Sequence, residues 1–201
     1  MTKTRAGGEN EKEKGTGTEK DSGNESRNDK KLDLDLHLQP GQEAATLAGG
    51  CFWGMEDILR KIPGVIETTV GYTGGATVNP VYETVKEGNT GHAESILVIF
   101  DPTVLSYEVL LDYFFRMHNP TTLNRQCGDV GSQYRSAIFF HSEEQRATAE
   151  RVKAEVEHSG RWKAPLITQI VPARPFYSAE QYHQDYLEKN PGGYTCHFLR
   201  G

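Results

Sequence analysis

An α+β domain, a two-layer sandwich on a mixed sheet with a ferredoxin-like split βαβ core, is what this sequence predicts. Two observations carry that reading. Short alternating or β-branched runs are separated by stretches whose apolar residues recur at helical spacing, in the order strand, helix, strand, strand, helix, strand, helix, strand, helix. Gly and Pro punctuate the junctions, at Pro40-Gly41, Gly49-Gly50, Pro63-Gly64 and Asn190-Pro191-Gly192-Gly193.

Each element has its own signal. Ala44 to Ala48 is a short apolar run, read as a buried strand. Met55, Ile58, Leu59 and Ile62 have helical spacing and stop at Pro63-Gly64. Val65 to Tyr72 alternates and is β-branched, hence a strand. A Gly-rich loop follows to His92, and Ser95 to Phe100 is the next strand. Ser106 begins a helix through Val109, Leu110, Tyr113 and Phe114. Thr121 to Gln133 is irregular, Tyr134 to Phe140 is a strand, and Ser142 caps a long charged helix to about His158. Leu166 to Val171 is a further strand, and Ser178 is expected to cap a final helix through Tyr182 and Leu187.

The 201 residues suit one domain with a tail, and the 36% hydrophobic content averages two unlike parts. Residues 1–31 hold almost no large apolar side chain, so they cannot bury enough surface to offset chain entropy and are expected to be disordered. Leu32, Leu34, Leu36 and Leu38 alternate with polar residues, which fits an edge strand or an extended segment lying on the domain. Pro40-Gly41 marks the boundary, giving a tail over 1–42 and a domain over 43–201 with a mobile C-terminal end.

A net charge of −6 argues against nucleic acid or anionic lipid as partner. No apolar run approaches the roughly 18 residues of a membrane span, and no apolar leader is present, so a cytoplasmic location and a monomer are expected. Three cysteines, an odd number without a CxxC pair, disfavour both a disulfide framework and structural zinc. Thiol chemistry in a reducing compartment stays open.

Four segments carry chemical groups. In Gly50-Cys51-Phe52-Trp53-Gly54, Cys51 follows a buried strand at the start of a helix, where unpaired N–H groups favour a thiolate over an ordinary thiol of pKa about 8.5. A buried structural cysteine accounts for that pentapeptide equally well. Of the two adjacent aromatics, one should face the core and the other line a pocket. The stretch Asn79 to Glu94 supplies Tyr82 and Glu94, and a carboxyl entering an apolar strand can be kept protonated, as a solvated strand-edge Glu would not be. The polar loop Asn124 to Ser136 carries Cys127, Asp129 and Tyr134. In Asn190 to Gly201, glycines precede Cys196, which suits either a resolving thiol or an incidental exposed one.

Together GCFWG, the segment from Tyr82 ending TGHAE, DVGSQYRS, and YHQDYL followed by NPGGY resemble the peptide methionine sulfoxide reductases of the A type, in that family's order, from about Ala44 to Arg200. The resemblance implies Cys51 as nucleophile and Phe52 and Trp53 as the pocket for the substrate methyl. It implies that Glu94, Tyr82 and Tyr134 hold the sulfoxide oxygen, with Asp129 beside the pocket. It further implies reduction of methionine S-sulfoxide, free and in proteins, through a Cys51 sulfenic acid and then a disulfide reduced by thioredoxin, without metal or organic cofactor. Cys196 falls where many members carry a resolving cysteine. Cys127, standing where the family usually has Gly, is an alternative resolving or relay thiol, and Lys86 stands where some members have another Cys. Two rivals use the same residues: a cysteine hydrolase with His92 or His183 as base, and a peptide-binding module built on Phe52 and Trp53.

Overall fold

The structure, a computed structural model, describes residues 31–32 and 38–201. The disorder expected of the first 31 residues lies outside the described residues up to residue 30. At residues 31–32, strand β1 (Lys31–Leu32) pairs antiparallel with a strand near the other end of the chain.

β2 (Glu43–Gly49) is buried along nearly its whole length because neighbours flank it on both edges. α1 (Phe52–Leu59) turns Phe52, Met55 and Leu59 to the sheet, the 3–4 spacing of a one-faced helix. β3 (Val65–Thr73) and β4 (Ala93–Phe100) pair antiparallel, and β4 also pairs antiparallel with β2. Between β3 and β4 lies a single-turn helix, α2 (Tyr82–Val85), in a stretch the sequence reads as loop. α3 (Tyr107–Met117) begins where Ser106 accepts a hydrogen bond from the Val109 N–H at 3.3 Å. β7 (Ser136–Phe140) pairs with the free edge of β2. α4 (Glu143–His158) is capped by Ser142 and buries Ala149, Val152 and Val156.

The four inner strands run β7-β2-β4-β3, which in their own chain order is 4-1-3-2. That is the ferredoxin-like split βαβ arrangement, with α1 linking the parallel pair β2 and β3 across β4. Ala45, Leu47, Ile96, Val98, Phe100 and Ile138 face α1, α3 and α4 in one core. The alternate residues Ala44 and Leu97 meet Phe176, with Leu32 and Leu38 packed on them. Of the leucine repeat before the domain, Leu32 thus lies in an edge strand, and Leu32 and Leu38 cover the sheet's second face. β8 (Gln169–Pro172) adds parallel to β7 and makes the sheet mixed.

Three local expectations are corrected. Tyr134 lies not in a strand but in a 3₁₀ turn, Ser132–Tyr134, ahead of β7. That turn follows a two-residue hairpin, β5 (Arg125–Gln126) and β6 (Asp129–Val130), inside the stretch read as irregular. The strand expected from Leu166 starts only at Gln169. Ser178 caps no helix: it ends β9 (Phe176–Ser178), paired with Gly71 and Tyr72 of β3 and, on its other edge, with β1. The chain beyond it is held in turns by side chains. Gln184 bonds both the N–H and the C=O of Val70, and the Asp185 N–H donates to Glu56 at 2.8 Å with Asp185 at φ +53°. Only α5 (Tyr186–Lys189) is helical there.

Candidate active site

Cys51 sits at the N-cap of α1, where β2 delivers the chain into the helix. Gly50 makes the junction at φ +106°, and a Cβ there would lie 2.5 Å from Gln126 Cγ, so both the turn and the close approach demand glycine. The Cys51 side chain is 7% exposed. The helix start was expected to lower its pKa, but burial wins. Desolvation first, with Glu94, Asp129 and Cys196 beside it adding to the rise, pushes the thiol well above its usual range, opposed by a hydrogen bond from the Trp53 N–H. In the resting site Cys51 is a neutral thiol.

Glu94, second residue of β4, is 2% exposed, and its Oε2 accepts a hydrogen bond from the Phe52 N–H at 3.2 Å. Burial raises its pKa to about 8, with the Phe52 bond opposing and Asp129 adding to the rise. Tyr82, at the start of α2, and Tyr134, in the 3₁₀ turn, both have phenols raised first by burial, and both feel Glu94 and Cys51. Five groups scattered in sequence therefore share one electrostatic neighbourhood: Cys51, Glu94, Tyr82, Tyr134 and Asp129. A neutral acid and two neutral phenols around a thiol form a donor set for an oxygen that gains negative charge.

The two aromatics divide as their adjacency requires. Phe52 is buried, 5.9 Å from the Tyr72 ring and 5.2 Å from His183. Trp53 is half-buried, stacks on Tyr186 at 3.8 Å between centroids, and donates its indole N–H to His183 Nδ1 at 3.0 Å. Tyr82 closes the group 4.6 Å from the His183 ring. His183 is thus a positioning residue of an apolar pocket and makes no hydrogen bond to Cys51. His92 is unsuited as base too, since its Nδ1 accepts from the Gly75 N–H and its Nε2 meets the Thr77 carbonyl. Among the described residues, no histidine is hydrogen-bonded to Cys51 as a pair of the hydrolase type requires.

The C-terminal segment returns to this site. Asp129 accepts a hydrogen bond from Tyr194 Oη at 3.0 Å. His197 is buried against the Gly49 carbonyl, and the Arg200 N–H bonds Arg116 O at 3.2 Å. Cys127, exposed and at φ +50°, points its Sγ at the Cys196 carbonyl, 3.7 Å away. Burial, followed by the neighbouring Cys127 thiol, raises the Cys196 thiol. All three cysteines are free. The motifs YHQDYL and NPGGY contain His183, Tyr186 and Tyr194, but nothing in the sequence assigns them or His197 these roles, because each acts through a partner at least 60 residues away.

Comparison with known proteins agrees with this geometry. The family model described as peptide methionine sulfoxide reductase matches residues 43–200. The chain belongs to the peptide methionine sulfoxide reductase family. Among its relatives, MsrA 1 of Mesorhizobium japonicum is 55% identical over 159 residues, 79% of this chain and 90% of that protein. Among solved reductases, Mxr1 of Saccharomyces cerevisiae in reduced form superposes with a TM-score of 0.77 at 39% identity, covering 82% of this chain and 96% of the other. Mxr1 in complex with Trx2 superposes with a TM-score of 0.56 at 29% identity, covering 82% and 94%. No helix among the described residues of this reductase is long and apolar enough to cross a membrane.

Proposed function

We propose that this oxidoreductase reduces methionine S-sulfoxide, free and in oxidised proteins, with Cys51 as the sulfur that takes the oxygen. The observation that carries the proposal is Glu94: a buried carboxyl, protonated at neutral pH, bonded to the backbone beside the nucleophile and sharing its pocket with two phenols. A sulfoxide is a poor electrophile until its oxygen is protonated. Glu94 donates that proton while Tyr82 and Tyr134 hold the oxygen, and the substrate methyl packs on Phe52 and Trp53. Cys51 sulfur attacks, the S–O bond of the substrate breaks, and the products are methionine and a sulfenic acid on Cys51. The proton Cys51 loses replaces the one Glu94 gave.

Cys196 then displaces the oxygen as water and forms a Cys51–Cys196 disulfide. Cys127, already in contact with Cys196, exchanges next and leaves an exposed Cys127–Cys196 disulfide for a thioredoxin-type dithiol. A reducing, cytoplasmic setting fits three free thiols. The test is to give the enzyme each sulfoxide epimer separately with dithiothreitol and measure methionine. Turnover of the S epimer alone, abolished in Cys51→Ser, is expected. Equal turnover of both epimers, or a Cys51→Ser variant retaining more than about 1% of the rate, overturns the reading.

A further inference from the structure

His197 holds a place that this chemistry leaves unused. Its Nε2 lies 2.8 Å from the Gly49 carbonyl oxygen, an atom that can only accept, so Nε2 carries the ring proton. In the neutral ring Nδ1 is then a bare acceptor, and it faces Cys196 Sγ at 4.0 Å. The seat is built for this. A Cβ on Gly54 would lie 2.7 Å from His197 Nδ1 and 2.2 Å from Thr195 Oγ1, so the nucleophile's helix admits the imidazole only because residue 54 is glycine. Beyond the ring, the Arg200 guanidinium bonds the carbonyls of Arg116 and His118 and pins the segment.

We infer that His197 is the catalytic base of the resolving step, its Nδ1 accepting the Cys196 thiol proton as Cys196 attacks the Cys51 sulfenic acid. The inference rests on Cys196 being the resolving thiol. The Cys196–Cys51 S–S bond forms, the S–O bond of the sulfenic acid breaks, and the proton passes from Cys196 through Nδ1 to the departing hydroxide, giving water. Cys196 sulfur is oxidised and Cys51 sulfur reduced, with no other reactant. Assistance is needed here. Burial, Cys127 and Asp129 push the Cys196 thiol up to about 12, so roughly one molecule in 10⁵ is a thiolate at pH 7. His197 stays unprotonated over the working range because burial, with Arg200 adding, lowers it to about 4. The groups facing the pair are Cys127, Asp129, Tyr194 and Cys51 around the thiol, and Arg200 and His118 around the ring.

The test follows thiol loss after mixing enzyme with one equivalent of methionine S-sulfoxide and no reductant. Three thiols become two in the sulfenic acid and one after the disulfide, and peptide mapping of early quenches identifies the bond. In the wild type the rate constant of the second loss, taken by itself, should be independent of pH from about 6 to 9 because the base is neutral throughout. His197→Gln keeps a donor for the Gly49 carbonyl but cannot take a proton. Its rate constant should fall about 100-fold at pH 7 and climb about tenfold per pH unit, as required when only free thiolate attacks. Glu94 is common to both proteins, so the ratio of the two profiles isolates His197. An early Cys51–Cys127 bond would overturn the resolving assignment together with the proposal. A Cys51–Cys196 bond with rates unmoved in His197→Gln, or a tenfold rise per unit in the wild type itself, would overturn the proposal alone.

Discussion

Replacing Glu94 by Gln tests the oxygen-binding chemistry and its cost together. The amide oxygen can still accept from the Phe52 N–H, so the local backbone keeps its partner. What is lost is an acid whose pKa burial has raised to about 8. At pH 7 such a group is about 90% protonated, against about one part in 500 for an ordinary glutamate near 4.3, so burial raises the active fraction several hundredfold. Glu94→Gln should therefore slow single-turnover methionine formation by about 10² to 10⁴. Wild-type rates should fall as pH rises through about 8, while the variant shows no such fall. The same shift carries a stability consequence of known sign. The folded pKa lies above the unfolded one, so stability tied to this proton is full below about 4.3 and is lost as pH rises toward 8. At pH 7 that loss is roughly 3–4 kcal/mol. Glu94→Gln, neutral throughout, should gain melting temperature over the wild type as pH is raised from 5 to 8. A variant within tenfold of wild-type rate, or one with the wild-type pH profile, would refute the assignment of Glu94 as acid.

Three further outcomes follow from the same geometry. Without reductant and with excess substrate, the wild type should release two equivalents of methionine, because passing the disulfide to Cys127–Cys196 frees Cys51 for a second attack. Cys127→Ser should stop at one, and two equivalents from that variant, measured by chromatography, would remove Cys127 from the relay. Gly54→Ala places a methyl against Thr195 and His197, so it should reduce turnover with a protein dithiol more than turnover with dithiothreitol; equal loss with both would contradict it. Burial holds His118 and His197 neutral, lowering them to about 3 and 4. Their folded pKa values lie below the unfolded one near 6.5, so stability present above 6.5 should be lost as pH falls toward 4, which urea titrations at pH 5 and 7 would show.

What could be read from the chain was what local chemistry decides. Ser106 and Ser142 announce their helices because a hydroxyl at the cap satisfies an N–H three residues on. Ala44 to Ala48 and Ser95 to Phe100 read as buried strands because their apolar runs are bounded by turn residues. β9 was illegible: three residues, Phe176 to Ser178, become a strand only because β3 presents Gly71 and Tyr72 at the right register. The final helix failed for a related reason, since Gln184 and Glu56 reach in from elsewhere and fix a backbone that its own spacing would wind up. At the site, the spacing identified reactive types but not their states. The helix start predicted an acidic Cys51, and only the folded surroundings show that burial and two carboxyls outweigh it.

The glycines flanking Cys51 divide labour on its short segment. Phe52 and Trp53 pack against Tyr72, His183 and Tyr186 on one side, while Gly50 and Gly54 leave the other side low enough for Gln126 and residues 195–197 to lie on it. On the proposed mechanism, arrival of the oxidised side chain and removal of its oxidising equivalents fall on separate flanks of five residues. An engineer could replace residues 190–201 with a terminus tuned to a different electron donor, leaving the substrate flank as it is.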